Sequence, residues 1–139
     1  MKLTELDSQV SVSDQLDISD LTELFRDGVE IVVCNRPDRE AADQTGFDEI
    51  SNACETLGME AHHIPFSGDA IEDHHVQSFL ELLQSGRKIH AYCRSGARSS
   101  KLWAQARTRQ GMDAGEIIQR AGRAGVDVSN HIRSPHSQV

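Results

Sequence analysis

The run VEIVVC, residues 29–34, constrains this chain more than any other segment. So short and so nearly continuous a β-branched stretch reads as a strand buried on both faces, the kind that sits in a parallel sheet between helices. The flanking sequence supplies the helices. SDLTELFRDG begins at a Ser/Asp cap and ends at Gly28. Phe47, Ile50, Cys54 and Leu57 share one helical face that Gly58 ends, and Val76, Phe79, Leu80 and Leu83 make a second stripe that Gly86 ends. MEAHHIPF and KIHAYC read as further strands, and the alternation of Val10 and Val12 in SQVSVS as a short edge strand. Leu102, Trp103 and Ala106 suit a helix after KIHAYC, and Asp113 with Glu116 form a capping pair for another, ended by Gly122 or Gly125. The rhythm predicts an α/β fold: a small, mostly parallel sheet of about four strands flanked by helices.

Size fits that answer. A chain of 139 residues, 37% of them hydrophobic and 26% charged, reads as a single domain spanning 1–139, with only the last five or so residues loose. No apolar run approaches the roughly 20 residues of a membrane span, and MKLTELDSQV has no signal-peptide core. Three cysteines without metal-like spacing fit reduced thiols in a cytoplasmic protein. The net charge of −8 argues against nucleic acid as a partner. It conceals an asymmetry: residues 1–85 hold nineteen acidic and four basic side chains, residues 86–139 three acidic and ten basic. A local anion site in the C-terminal third is therefore open.

Ligands of such sheets bind beyond the C-terminal strand ends. The segments leaving those ends are CNRPDRE, SGDAIED and CRSGARS. Cys93 closes a strand, and a glycine-bearing turn separates it from a helix. Converging amides, the helix N-terminus, Arg94 and Arg98 should together depress its thiol pKa and stabilise a thiolate nucleophile. The same cradle, Arg94, Ser95, Gly96, Ala97 and Ser99 with Arg98, suits a tetrahedral oxyanion, which Arg98 can hold by two oxygens. Ser99 is placed to donate its hydroxyl to the Cys93 sulfur; Ser95 does the same or caps the turn. Arg36 and Asp38 stand where they brace the loop or touch substrate. Cys34 ends the neighbouring strand, where a buried inert thiol is preferred over a disulfide with Cys93. The adjacent pairs His62–His63 and His74–His75 do not have the spacing of a metal site, so neither metal nor cofactor is expected.

AYCRSGARSS, with VSVSDQL and CNRPDRE, resembles the phosphatase-like family found in beta-lactamase-hydrolase-like proteins, related in fold to the dual-specificity and tyrosine phosphatases. The resemblance runs from about residue 3 to residue 133, and GMDAGEIIQRAGRAGV is similar to the family's C-terminal helix pair. It implies a cysteine-phosphatase-like fold, a phosphocysteine intermediate and hydrolysis by water. The substrate would be a phosphorylated small molecule or phosphoprotein, including protein phosphotyrosine. It also implies an acidic proton donor on an upstream loop, for which Asp69 is the first candidate and Asp73 the second. One departure stands out. The phosphatase signature places five residues between cysteine and arginine, usually after a histidine. Here Tyr92 precedes Cys93, four residues separate it from Arg98, and Ser99 occupies the signature arginine's place. That shorter loop is similar to the persulfide loop of single-domain rhodaneses. Sulfur transfer through a Cys93 persulfide and an inactive anion-binding module therefore stand beside the phosphatase reading.

Overall fold

Along the chain run β1 (Thr4–Glu5), β2 (Val10–Ser13), α1 (Ile18–Arg26), β3 (Ile31–Cys34), α2 (Phe47–Leu57), β4 (Glu60–His63), α3 (Asp73–Gln84), β5 (Ile89–Tyr92), α4 (Ala97–Arg109) and α5 (Ala114–Gly122), then a 3-10 turn at Ser129–His131. This computed structural model describes residues 1–132, and the loose tail expected from the sequence lies outside them. The sheet order is β1-β2-β5-β3-β4; β1 is antiparallel to β2, and the other neighbours are parallel.

The architecture is the mostly parallel α/β sheet that the apolar runs imply, with one strand more than expected. β1 has two residues, too few to show a period. Asp7 folds it back: its carboxylate accepts the amides of Gln9 and Val10 at 2.8 Å each. The Val10–Val12 segment is therefore not the sheet edge, because β1 covers it.

Both faces of the sheet are buried, which explains why IVVC lacks polar alternation. Ile31, Val33, Ile89 and Ala91 pack on one face with Phe79, Leu102, Trp103 and Ile117 of α3, α4 and α5. Val32, Cys34 and Tyr92 pack on the other with Leu21, Leu24, Ile50 and Cys54 of α1 and α2. Trp103 is fully buried, and its indole N–H donates to Asp7 at 2.7 Å, tying α4 to the β1–β2 turn. Asp113 accepts the amide of Glu116 at 3.1 Å and caps α5, as the sequence pairing predicts.

Register sets the site. Ser13 and Cys34 both lie opposite Tyr92, so the chain leaves β2, β5 and β3 at one level. Cys93 is the first residue beyond that level.

Candidate active site

Cys93 stands at the end of β5, its amide donating to the Ser13 carbonyl at 3.4 Å. Three residues later the chain is already turning into α4. Gly96 makes that possible with φ of +93°, a left-handed conformation that side chains resist. The Gly96 amide donates to the Cys93 sulfur at 3.1 Å. The Gly96 carbonyl is in turn held by the Ser100 amide at 3.0 Å and the Ser100 hydroxyl at 2.8 Å. Among the described residues, the amides of Arg94, Ser95, Arg98 and Ser99 have no hydrogen-bond acceptor in the protein. Unpaired amides around a cysteine at a helix start form a nest suited to an anion.

Arg98 is one turn into this wall. Its Nη1 donates to Glu40 Oε2 at 2.8 Å and to the Phe66 carbonyl at 3.1 Å, and its Nη2 donates to Glu40 Oε1 at 2.7 Å. Guanidinium has five N–H groups, so these contacts leave two, Nε–H and the second Nη2 proton, side by side on one edge. Such an edge matches two oxygens of a phosphoryl group. Glu40 is the main cause holding Arg98 charged, and the neighbouring Cys93 adds to it. Reciprocally, Arg98 and then Arg36 hold the Glu40 carboxyl down to about 2.

Arg36, buried, completes this bridge: Nε donates to Glu40 at 3.0 Å and Nη1 to Gln15 at 3.0 Å. The NRPDRE segment thus does brace the Cys93 loop, but through Arg36 and Glu40. Asp38 instead accepts the Phe47 amide at 2.9 Å, at the start of α2. Glu40 escaped the sequence reading because it is one carboxylate among several in a polar loop. Its position four residues after Arg36, the spacing of an ion pair on one helical turn, was the available signal.

The remaining expected residues separate into those that line the loop and those that do not. Arg94 and Ser95 are exposed, and the Ser95 hydroxyl accepts the Ala97 amide at 3.4 Å, a turn cap. Ser99 does not reach the sulfur. Its buried hydroxyl donates to Asn35 Oδ1 at 2.8 Å, because Asn35 sits beside β5 with its amide on the Tyr92 carbonyl and its side-chain N–H on the Ile64 carbonyl. Asn35, missed in the sequence, fastens β3, β5 and α4 together. Asp69 is ion-paired to Lys101 at 2.6 Å with its side chain 63% exposed, and Lys101 keeps its carboxyl below the usual range. The pairing with Lys101 favours the ionised form of Asp69 over the protonated form that a general acid needs. Asp73 pairs with Arg109 and points to solvent.

Burial pushes the Cys34 thiol up and the Cys54 thiol up to about 11, so both are neutral thiols; all three cysteines are free. His63 stacks on Phe47 and bonds the Arg36 carbonyl at 2.9 Å, while His62 pairs with Glu60. Among the described residues, no three His, Cys, Asp or Glu side chains are grouped to hold a metal ion.

Behind the loop lies a buried polar chain. His90 Nδ1 is 2.7 Å from Ser11 Oγ, and His90 Nε2 is 2.7 Å from Ser13 Oγ. Ser13 donates its hydroxyl proton to the Asp14 carbonyl at 2.9 Å, so it accepts from Nε2–H, and Ser11 donates to Nδ1. This fixes β2 against β5 where the Ser13 carbonyl meets both Cys93 and Gly96.

The family described as beta-lactamase hydrolase-like protein, phosphatase-like domain, matches residues 2–110. The chain belongs to that family. A beta-lactamase hydrolase-like protein of Xylella fastidiosa (strain Temecula1 / ATCC 700964) is 23% identical over 134 residues, which are 95% of this chain. The chain spans only 31% of that relative's length. Among solved structures, a candidate phosphatase (nma1982) from Neisseria meningitidis Z2491 is 37% identical, with TM-score 0.81 over 94% of this chain and 93% of its own. The catalytic core of the PP-IP phosphatase SIW14 from S. cerevisiae shares the fold at 18% identity, with TM-score 0.64 over 98% of this chain and 80% of its own. The phosphatase-like domain therefore has the fold of the tyrosine-phosphatase-related enzymes. No helix among its described residues is long and apolar enough to cross a membrane.

Proposed function

We propose that this phosphatase-like domain hydrolyses phosphomonoesters through a phosphocysteine formed on Cys93. The observation that carries the reading is the loop from Cys93 to Arg98: a sulfur, unpaired amides around it, and a guanidinium edge left free by Glu40. In the first step the Cys93 thiolate attacks phosphorus; the S–P bond forms as the P–O bond breaks, and the leaving alkoxide or phenoxide takes its proton from an acid or from water. Loop amides and Arg98 stabilise the charge on the equatorial oxygens. Water then attacks phosphorus, the S–P bond breaks, and orthophosphate leaves with the thiolate restored. The domain's likeness to a candidate phosphatase of Neisseria meningitidis and to the PP-IP phosphatase SIW14 supports this reading.

The four-residue span between Cys93 and Arg98 favours a second reading, sulfur transfer through a persulfide on the same cysteine. One pair of assays decides. The expected result is phosphate release from an aryl phosphate by the wild type and none by Cys93→Ser, with a phosphocysteine trapped by rapid acid quench. Thiocyanate formed from thiosulfate and cyanide through Cys93, without phosphate release, would replace the phosphatase reading with the sulfurtransferase one. Silence in both assays leaves an anion-binding module.

A further inference from the structure

Beside the Cys93 loop lies a second cavity, of about 320 Å³, that the proposed hydrolysis does not use. That volume is at the lower end of small-molecule sites. One wall is Ser95 and Gly96, the outer side of the anion loop. The opposite walls are Lys2 and Thr4, around β1, and the Arg123–Gly125 turn that follows α5. Among the described residues, the lining contains two cations and no carboxylate, in a chain with 22 acidic residues.

Among the described residues those cations are also without a carboxylate partner. Arg36, Arg98, Lys101, Arg107, Arg109 and Arg120 each pair with a carboxylate. Among the described residues, Lys2 and Arg123 make no side-chain ion pair; Asp14 accepts only the Lys2 backbone amide, at 2.8 Å. Two exposed cations without partners, facing one cavity against the wall of an anion loop, describe a place for negative charge.

We propose that this cavity is a second anion subsite, and that the substrate is a small molecule bearing two phosphate groups. One phosphate enters the Cys93 loop while the other lies against Lys2 and Arg123. This rests on the phosphatase reading and narrows its substrate class. The subsite acts on binding rather than on the reacting bond, so its loss raises KM and leaves kcat near wild type. Because both cations are exposed, the gain shrinks as salt rises.

Binding to the Cys93→Ser protein, measured by calorimetry, tests the idea. The probes are a short series of alkanediol bisphosphates and the alkyl monophosphates of matching length. At least one bisphosphate should bind about tenfold more tightly than its monophosphate, the scale of one or two exposed charge contacts. Lys2→Gln with Arg123→Gln should erase that gain and leave monophosphate affinity unchanged. Monophosphate binding with no gain for any bisphosphate overturns the subsite and leaves the phosphatase reading standing. A gain that survives the double substitution also overturns it, by placing the second phosphate elsewhere. Failure of monophosphates to bind at all removes the phosphatase reading and the subsite with it.

Discussion

Glu40 grips the end of the Arg98 guanidinium with both carboxylate oxygens, at 2.7 and 2.8 Å, and so leaves the Nε–Nη2 edge without a carboxylate partner among the described residues. A free arginine side chain samples many rotamers, and holding one in place removes an entropy cost from substrate binding. The clamp does not titrate in any ordinary assay, because the Glu40 carboxyl is held down to about 2. Its contribution is complete above the unfolded carboxyl's ordinary range and is lost only as pH falls through about 2.

Glu40→Gln keeps the shape but loses the charge. The expected effect is a fall in kcat/KM on an aryl phosphate of about tenfold, the weight of one charge-assisted hydrogen bond. Arg98→Lys should cost roughly 10²-fold or more, since a point charge cannot present a two-oxygen edge. Steady-state kinetics on both variants checks the order. Glu40→Gln faster than wild type would mean that the carboxylate competes with substrate for Arg98 instead of aiming it.

Gly96 carries the loop's one left-handed residue, with φ of +93°. A Cβ there would sit 3.5 Å from the Ser13 carbonyl oxygen, an ordinary contact, so strain rather than crowding opposes substitution. Gly96→Ala should cost about 1–2 kcal/mol, read from urea unfolding. It should also lower kcat/KM more than it raises KM, because the amide that faces the Cys93 sulfur moves. Wild-type activity in Gly96→Ala would show that this amide is dispensable.

How much of this was legible before the structure follows from how locally each feature is encoded. VEIVVC announced a parallel strand because burial on both faces needs a nearly continuous apolar run, while KIHAYC, interrupted by His90, announced only a strand. The Cys93 turn was legible because its parts are contiguous, although their roles are a matter for the assays proposed above. Asn35 and the Ser11–His90–Ser13 chain were not legible, since each acts across strands distant in sequence, and Glu40 offered only its spacing from Arg36. The partner of Ser99 was misread for the same reason: nothing within the loop reveals that Asn35 lies 2.8 Å away. β1 was invisible because two residues have no period, and an aspartate side chain makes its turn.

His90 gives the fold a pH signature. The residue is fully buried between Ser11 and Ser13, and desolvation lowers its imidazole to about 3. The unfolded chain binds a proton near the ordinary histidine value of about 6.5, which the folded chain refuses. Stability is therefore complete above about 6.5 and declines as pH falls toward about 3, by up to about 1.4 kcal/mol per pH unit. His75 and His131, also lowered by burial, add in the same direction. Urea midpoints at several pH values should show the decline beginning above the carboxylate range, and His90→Gln should flatten it. An unchanged slope in His90→Gln would assign the decline to the other histidines.

Lys101 decides whether Asp69 can act as an acid. The ion pair at 2.6 Å lowers the Asp69 carboxyl and so reduces the protonated fraction that could serve a leaving alkoxide. A positioned acid contributes typically 10²–10⁴-fold, so with Asp69 mostly ionised the domain should turn over aryl phosphates with stable leaving groups far faster than alkyl phosphates. Removing the ammonium in Lys101→Met lets the Asp69 carboxyl rise toward its usual range. The basic limb of the pH–rate profile for phenyl phosphate should then move to higher pH, and kcat should increase several-fold. Combining Lys101→Met with Asp69→Asn should cancel the increase while Cys93 alkylation by iodoacetate proceeds at the wild-type rate. A basic limb that stays put in Lys101→Met would remove Asp69 from the proton path and assign that role to another group.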